Sequence, residues 1–345
     1  LFSLLCFSKK QKKGDLKMKK SWIIGVIITV LVLTLGTMAF AQEKPGEGMY
    51  FRFVTHGGDD PFWAVVQQGA YDAASLLGCK VDFDLCGGDM SLQLKRFQEA
   101  VALKPDGIAL VINDDIAWDK PVEDALAAGI PVVAIDNDDT EGSRGNKRLT
   151  YIGQDEKKAG YDLAVRLFQE GEKQGFDLSQ AHVAMSVEVP GAMYGTVRAN
   201  GVLEAMKEFG ITSYEIIDAG GLEMTVVESR QISYIMSHPE TTFLIGLGGI
   251  TTDRLSDSLK GAGIAPGKII AGGFDTTPGT ISGLKAGYIT ATIDSQQYLA
   301  GFHGVLTLFH YKKYGLLPTV LTGGFLIDSP EKIQQIEELS PLHIR

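Results

Sequence analysis

The sequence predicts an α/β protein built from two doubly wound parallel-sheet domains. Three observations carry this. Short apolar runs alternate with longer helical patterns from residue 50 to about residue 313. Runs such as IALVI and PVVAI are continuously apolar, as strands covered on both faces must be. The alternation yields ten strand candidates and starts afresh near residue 181, too many for one compact open sheet.

The first strand series is 50–54, 80–86, 107–112, 131–136 and 150–153, and the second is 181–187, 213–219, 242–247, 268–274 and 289–294. Helical patterns fill the intervals at 61–77, 91–103, 118–128, 157–171, 195–209, 225–237, 251–262, 277–286 and 296–313. The punctuation agrees. Asp60 suits an N-cap with Pro61 in the first turn, where its missing N–H costs nothing. Asp155 and Ser179 open further segments, and Gly78 and Gly210 suit helix C-termini. SPEKIQQIEELSPLHIR, after Asp328, opens with a Ser-Pro-Glu cap and reads as a terminal helix without evident chemistry.

Residues 1–41 differ from the rest. Lys19 and Lys20 precede an uncharged stretch from Trp22 to Ala41, which closes on Ala39-Phe40-Ala41. This is the three-part pattern of a secretory signal, with cleavage expected before Gln42. Retention as an anchor is the alternative, since about twenty apolar residues span a bilayer. Met18 reads as the start and residues 1–17 as upstream read-through; Leu4-Leu5-Cys6 lacks the apolar core that a lipoprotein signal needs. Beyond residue 41, 25 basic and 41 acidic residues leave a net charge of −16. Such a surface repels phosphate backbones, so nucleic acid is excluded as a partner.

Cys79 and Cys86 flank the alternating strand KVDFDL. Seven extended residues separate them by about 23 Å, far beyond disulfide reach, so both are expected as free thiols. No CxxC, HExxH or Cys/His cluster occurs, so no metal site is expected.

In doubly wound sheets ligands bind beyond the carboxyl ends of the strands. Those ends carry Asp59-Asp60-Pro61-Phe62-Trp63, Asp136-Asn137, Glu188 with Arg198 ten residues later, Asp275, and Asp294-Ser295-Gln296-Gln297. A sugar ring has apolar C–H faces, which aromatic rings cover, and a hydroxyl rim, which carboxylates, amides and a guanidinium match. Each residue also has a structural reading. Asp60 and Asp275 can serve as helix caps, Phe62 or Trp63 as core, Arg198 as surface, and His56 reads as a turn residue. As for catalysis, the Gly run at 246–249 lacks G-x-G-x-x-G, and no G-x-S-x-G elbow or phosphate loop occurs. Asp136 and Asp275 as a catalytic carboxylate pair is a weak alternative, and no enzyme is expected.

The order and spacing of DDPFWAVVQQGAYDAA, KPDGIALVINDDIAW, AGIPVVAIDND, RANGVLEAM, IIAGGFDTTPG and ITATIDSQQYLAG give the chain a family likeness over residues 48–328. It resembles the type I periplasmic sugar-binding proteins, the ribose-binding-protein-like receptors of ABC importers. The resemblance implies two domains joined by a three-stranded hinge that closes on a sugar. Domain one would be 48–152 plus 296–323, domain two 153–295 plus 324–330, with 331–345 as a tail. Carried over position by position, the ligand residues would be Asp60, Phe62, Trp63, Asp136, Arg198, Asp275 and either Ser295 or Gln296. Three positions depart from the ribose-type pattern: Asn137 stands for an Arg, Leu222-Glu223-Met224 for a stacking aromatic, and Gly248 for an Asn. With Asn137 kept in the set, the expectation is a monomeric, extracytoplasmic receptor, periplasmic or attached to the cell envelope. It would bind a monosaccharide or polyol without a cofactor and deliver it to an ABC permease. A sensor reporting sugar to a chemoreceptor, without transport, is the alternative.

Overall fold

The computed structural model describes residue 22, residues 43–59, 61–343 and 345. Asp60 and nearly all of the leader-like segment 1–41 lie outside the described residues. Among the described residues no helix is long and apolar enough to cross a membrane.

From residue 46 onward the chain alternates strand and helix, as the apolar periodicity requires. The strands are β1 (Tyr50–Thr55), β2 (Lys80–Leu85), β3 (Gly107–Leu110), β4 (Val132–Ile135), β5 (Tyr151–Gly153), β6 (His182–Val187), β7 (Ser213–Asp218), β8 (Thr241–Gly246), β9 (Ile270–Phe274), β10 (Ile289–Asp294), β11 (Val320–Leu321) and β12 (Phe325–Ile327). The helices are α1 (Pro61–Leu77), α2 (Met90–Ala102), α3 (Asp119–Ala127), α4 (Glu156–Lys173), α5 (Met193–Glu208), α6 (Met224–Ser237), α7 (Gly249–Gly261), α8 (Pro278–Lys285), α9 (Gln297–Tyr314) and α10 (Pro330–Leu339). Asp155 caps α4 by accepting from Lys158 N–H, and Ser329 caps α10 from Lys332 N–H. Asp177, rather than Ser179, caps the short helix at 178–180, and Thr277, rather than Asp275, caps α8.

Two six-stranded sheets result, in the orders β11-β5-β4-β3-β1-β2 and β12-β10-β9-β8-β6-β7. Every pair is parallel except β10–β12. The central strands β3, β4, β6 and β9 are buried throughout, as their apolar composition demands. The chain passes between the sheets three times: from β5 into α4, from β10 into α9, and from β11 to β12. The outermost strands β11 and β12, two and three residues long, are the ones periodicity did not disclose. They are too short to alternate. The tail turns back on the second crossover, where Arg345 pairs with the buried Asp294 at 2.5 Å. Cys79 and Cys86 are free thiols.

The two sheets share a packing device. α1 crosses α9 where Gly69 meets the Tyr298 carbonyl and Gly301 meets the Val66 carbonyl; α4 crosses α5 where Gly160 meets the Arg198 carbonyl and Gly201 the Lys157 carbonyl. A Cβ at any of the four would overlap backbone, which cannot swing aside. The helices approach closely because these positions carry no side chain.

Alanine normally exceeds glycine in a helix by about 1 kcal/mol. Here the overlap reverses the sign: Gly301→Ala and Gly201→Ala should each lower stability by about 1–3 kcal/mol in chemical denaturation.

Candidate functional site

The carboxyl ends of the two sheets face one another across a cavity of about 310 Å³, at the small end of the ligand-pocket range of roughly 300–1,000 Å³. The first sheet supplies the aromatic wall. After β1 the loop His56-Gly57-Gly58 leads to α1, whose first turn presents Phe62 and Trp63. Trp63 is 4 % exposed and Phe62 half-buried, with their rings edge-on at 5.2 Å. Gly57 is required because the Trp63 indole occupies the space its Cβ would need. Trp63 thus serves both the core and the cavity.

His56 is more than a turn residue. Its ring lies 5.5 Å from Trp63, edge-on, and 6.3 Å from Tyr194 of the second sheet's α5, near parallel. The lobes therefore meet across the cavity here. Burial, then the charge of Arg198, lowers the imidazole's pKa to about 4, so it is neutral at physiological pH. Its buried Nδ1 has no partner among the described residues.

Asp136 and Asp275 sit at corresponding places, just past β4 and just past β9, and both adopt left-handed backbone, φ 64° and 71°. That conformation is uncommon for residues with a side chain and is held by the surroundings. Asp136 N–H donates to the Ile152 carbonyl at 3.0 Å, and Tyr151 Oη donates to the Asp136 carbonyl at 2.6 Å. Asp275 N–H donates to Ile293 at 2.7 Å, and Thr292 Oγ1 donates to the Asp275 carbonyl at 2.9 Å. Asn137 beside Asp136 is 2 % exposed, and its buried Nδ2 has no partner among the described residues.

The second sheet supplies the charged floor. Arg198 is 4 % exposed; its Nε donates to Glu156 at 2.5 Å and its Nη1 to the Leu247 carbonyl at 2.8 Å. Its guanidinium lies 4.0 Å from the Phe274 ring centre and 5.2 Å from that of Tyr194, one turn earlier on α5. Burial works against its charge, but the Glu156 carboxylate more than restores it, raising the pKa above the ordinary guanidinium value.

Of the nine residues the sequence nominated, Phe62, Trp63, Asp136, Asn137, Arg198 and Asp275 line this cavity. Asp60 is outside the described residues. Ser295 and Gln296 do not line it. Ser295 Oγ donates to Asp275 Oδ1 at 2.6 Å, with Gln297 Nε2 on the same oxygen at 3.3 Å, so both support the carboxylate from behind. Gln296, left-handed at φ 51°, turns away and accepts from Gly323 N–H in the third crossover at 3.3 Å. A one-residue difference in register after β10 separates these roles.

The cavity also includes Glu188, which the sequence placed at a strand end without carrying it into the ligand set, and His56, Tyr194, Asp253 and Arg254, which it did not nominate. Besides Glu188, only Tyr194 had a legible signal, its place four residues before Arg198. Leu222 and Met224 stand where the resemblance led one to expect an aromatic, and they line the cavity themselves. A wider cleft of about 970 Å³ adjoins it through Asn137 and Tyr194 and carries the exposed charges of Asp155, Lys157, Glu204 and Lys207.

Burial pushes Asp275 up to about 6, against the opposing pull of Arg198 and of the Ser295 hydroxyl. A carboxyl whose folded pKa exceeds its unfolded value binds more protons when folded, so stability falls as pH rises between about 4 and 6. Asp275→Asn removes this dependence. Its melting temperature relative to wild type should rise with pH across that window and level off above it, a span of about 3 kcal/mol in unfolding free energy.

Comparison with known proteins identifies the family. The family model of the periplasmic binding protein domain matches residues 51–315. The chain is 29% identical to the xylose/arabinose-binding protein XylF of Sulfolobus acidocaldarius over 305 residues, 84% of this chain and 71% of that protein. Among solved structures it is similar to a carbohydrate transporter from Acidothermus cellulolyticus in complex with myo-inositol, with TM-score 0.75, 25% identity and coverage of 86% of this chain and 99% of that one. It is also similar to a periplasmic sugar-binding protein of an ABC sugar transporter from Legionella pneumophila, with TM-score 0.71, 28% identity and coverage of 79% and 98%. The chain belongs to the periplasmic binding protein family, whose members are binding proteins and not enzymes.

Proposed function

We propose that this protein is an extracytoplasmic receptor that binds a monosaccharide or related ring polyol in the cavity between its two sheets and delivers it to an ABC permease. The observation that carries this reading is the opposition of Asp136 and Asp275, presented from equivalent strand ends of the two sheets beside an aromatic wall and a buried arginine. Carboxylates accept from hydroxyls, Arg198 has further N–H donors beyond the two already engaged, and Phe62 and Trp63 offer apolar faces to ring C–H groups. The relatives named for xylose and arabinose, and the structure holding myo-inositol, support the same ligand class.

In this reading the lobes are 48–152 plus 296–323 and 153–295 plus 324–330. They turn about the three crossovers. A ligand that touches both favours the closed arrangement by its differential affinity for it. The leader-like pattern of residues 18–41 supports placement outside the cytoplasmic membrane.

The test is a thermal-shift screen of the purified protein against pentoses, hexoses, deoxysugars, cyclitols and nucleosides. A cognate ligand at 100 times its Kd adds about 2.7 kcal/mol of stability. Asp275→Ala should abolish the shift. A folded sample that responds to no sugar or cyclitol overturns the proposal.

A further inference from the structure

We propose that Glu188 is a specificity-determining ligand residue, admitted to the cavity by the glycine at position 248, and that it selects a polyol with a hydroxyl donor facing the start of α7. This rests on the receptor reading above and refines it.

Glu188 follows the last residue of β6 and is 4 % exposed, yet its side chain lines the cavity. Gly248 lies on the next strand's exit loop, just before α7. Its backbone, φ −139° and ψ 176°, is extended and open to any residue. Backbone freedom therefore does not require glycine there. Space does: a Cβ at 248 would overlap both carboxylate oxygens of Glu188. The two positions are coupled, and a polar group at the α7 end of the cavity arrives from β6 because position 248 carries none. This gives a physical account of the departure at Gly248.

The carboxylate is held, but loosely. It has about four acceptor sites. Ile250 N–H reaches Oε1 at 3.2 Å and Thr251 Oγ1 reaches Oε2 at 3.3 Å, both long contacts. The single Thr251 hydroxyl proton is shared with the Gly248 carbonyl at 3.0 Å. The Tyr194 hydroxyl and the residue's own N–H also engage the carboxylate. A buried carboxylate with loose partners is costly, and burial raises its pKa. A ligand hydroxyl that replaces one of these two long contacts with a short one would offset that cost. Opposite, Asn137 Nδ2, without a partner among the described residues, offers a donor, so the cavity would read a ring with a donor toward Glu188 and an acceptor toward Asn137.

The structural alternative is that Glu188 only caps α7. The discriminating experiment measures Kd by calorimetry for the best polyol of the screen and for its full set of monodeoxy analogues, with wild type, Glu188→Gln and Gly248→Ala. A hydrogen bond to a charged group contributes about 1.5–3 kcal/mol, so the parent polyol should bind at least about tenfold more weakly to both variants. One deoxy analogue, lacking the hydroxyl that meets Glu188, should bind all three proteins within about twofold. Uniform weakening across all analogues, or unchanged affinities, overturns the proposal while leaving the receptor reading intact. Absence of any polyol binding by the wild type overturns both.

Discussion

The buried pair of Arg198 and Glu156 fixes the floor on which the rest of the cavity depends. Removing two charges from water costs several kcal/mol per ion unless their remaining hydrogen-bonding capacity is met. Here the Leu247 carbonyl takes a second guanidinium donor, and the rings of Phe274 and Tyr194 cover its faces. The arginine thereby ties together the start of α4, the body of α5 and the ends of β8 and β9. Its helix can approach α4 closely only because Gly160 and Gly201 leave room for the opposing backbone. Packing and charge are thus one constraint: the glycine crossing brings Arg198 to Glu156, and the ion pair holds the guanidinium beneath the cavity.

A second regularity is where the backbone is strained. Five described residues other than glycine have positive φ, and three of them, Asp136, Asp275 and Gln296, lie at strand ends beside the cavity or in a crossover. Left-handed backbone at the exit of a strand turns the next side chain off the pleat. At 136 and 275 it accompanies a carboxylate lining the cavity. At 296 it accompanies an amide reaching Gly323 of another crossover. The strain is held by hydrogen bonds from neighbouring strands, so the cavity's geometry belongs to the sheets more than to the loops.

Carboxylates outnumber free cations in this space. Arg198 is committed to Glu156 and Arg254 to Asp253, while Asp136, Glu188 and Asp275 face the cavity. The raised pKa of Asp275 and of Glu188 reflects burial first, and the mutual repulsion of acids contributes to Asp275. Such a cavity suits a ligand rich in hydroxyl donors and disfavours an anionic one.

The alternation of apolar runs and amphipathic helices by itself determined the fold class, the ten strands β1 to β10 and the edge of the sheets where polar residues gather. These are short-range signals, because a strand buried on both faces must be apolar along its length. It also placed Asp136, Asn137, Arg198 and Asp275 at strand and helix ends and Phe62 and Trp63 at the first turn of α1. The tertiary structure alone decided which of them converge. Ser295, Gln296 and Gln297 are consecutive, yet two support Asp275 and one spans to Gly323, because a single left-handed residue reverses the side-chain direction. Likewise Glu188 and Gly248 are sixty positions apart in sequence but compete for the same space. Steric exclusion between neighbouring strands is a long-range fact with no periodicity, and it is written only in the folded chain.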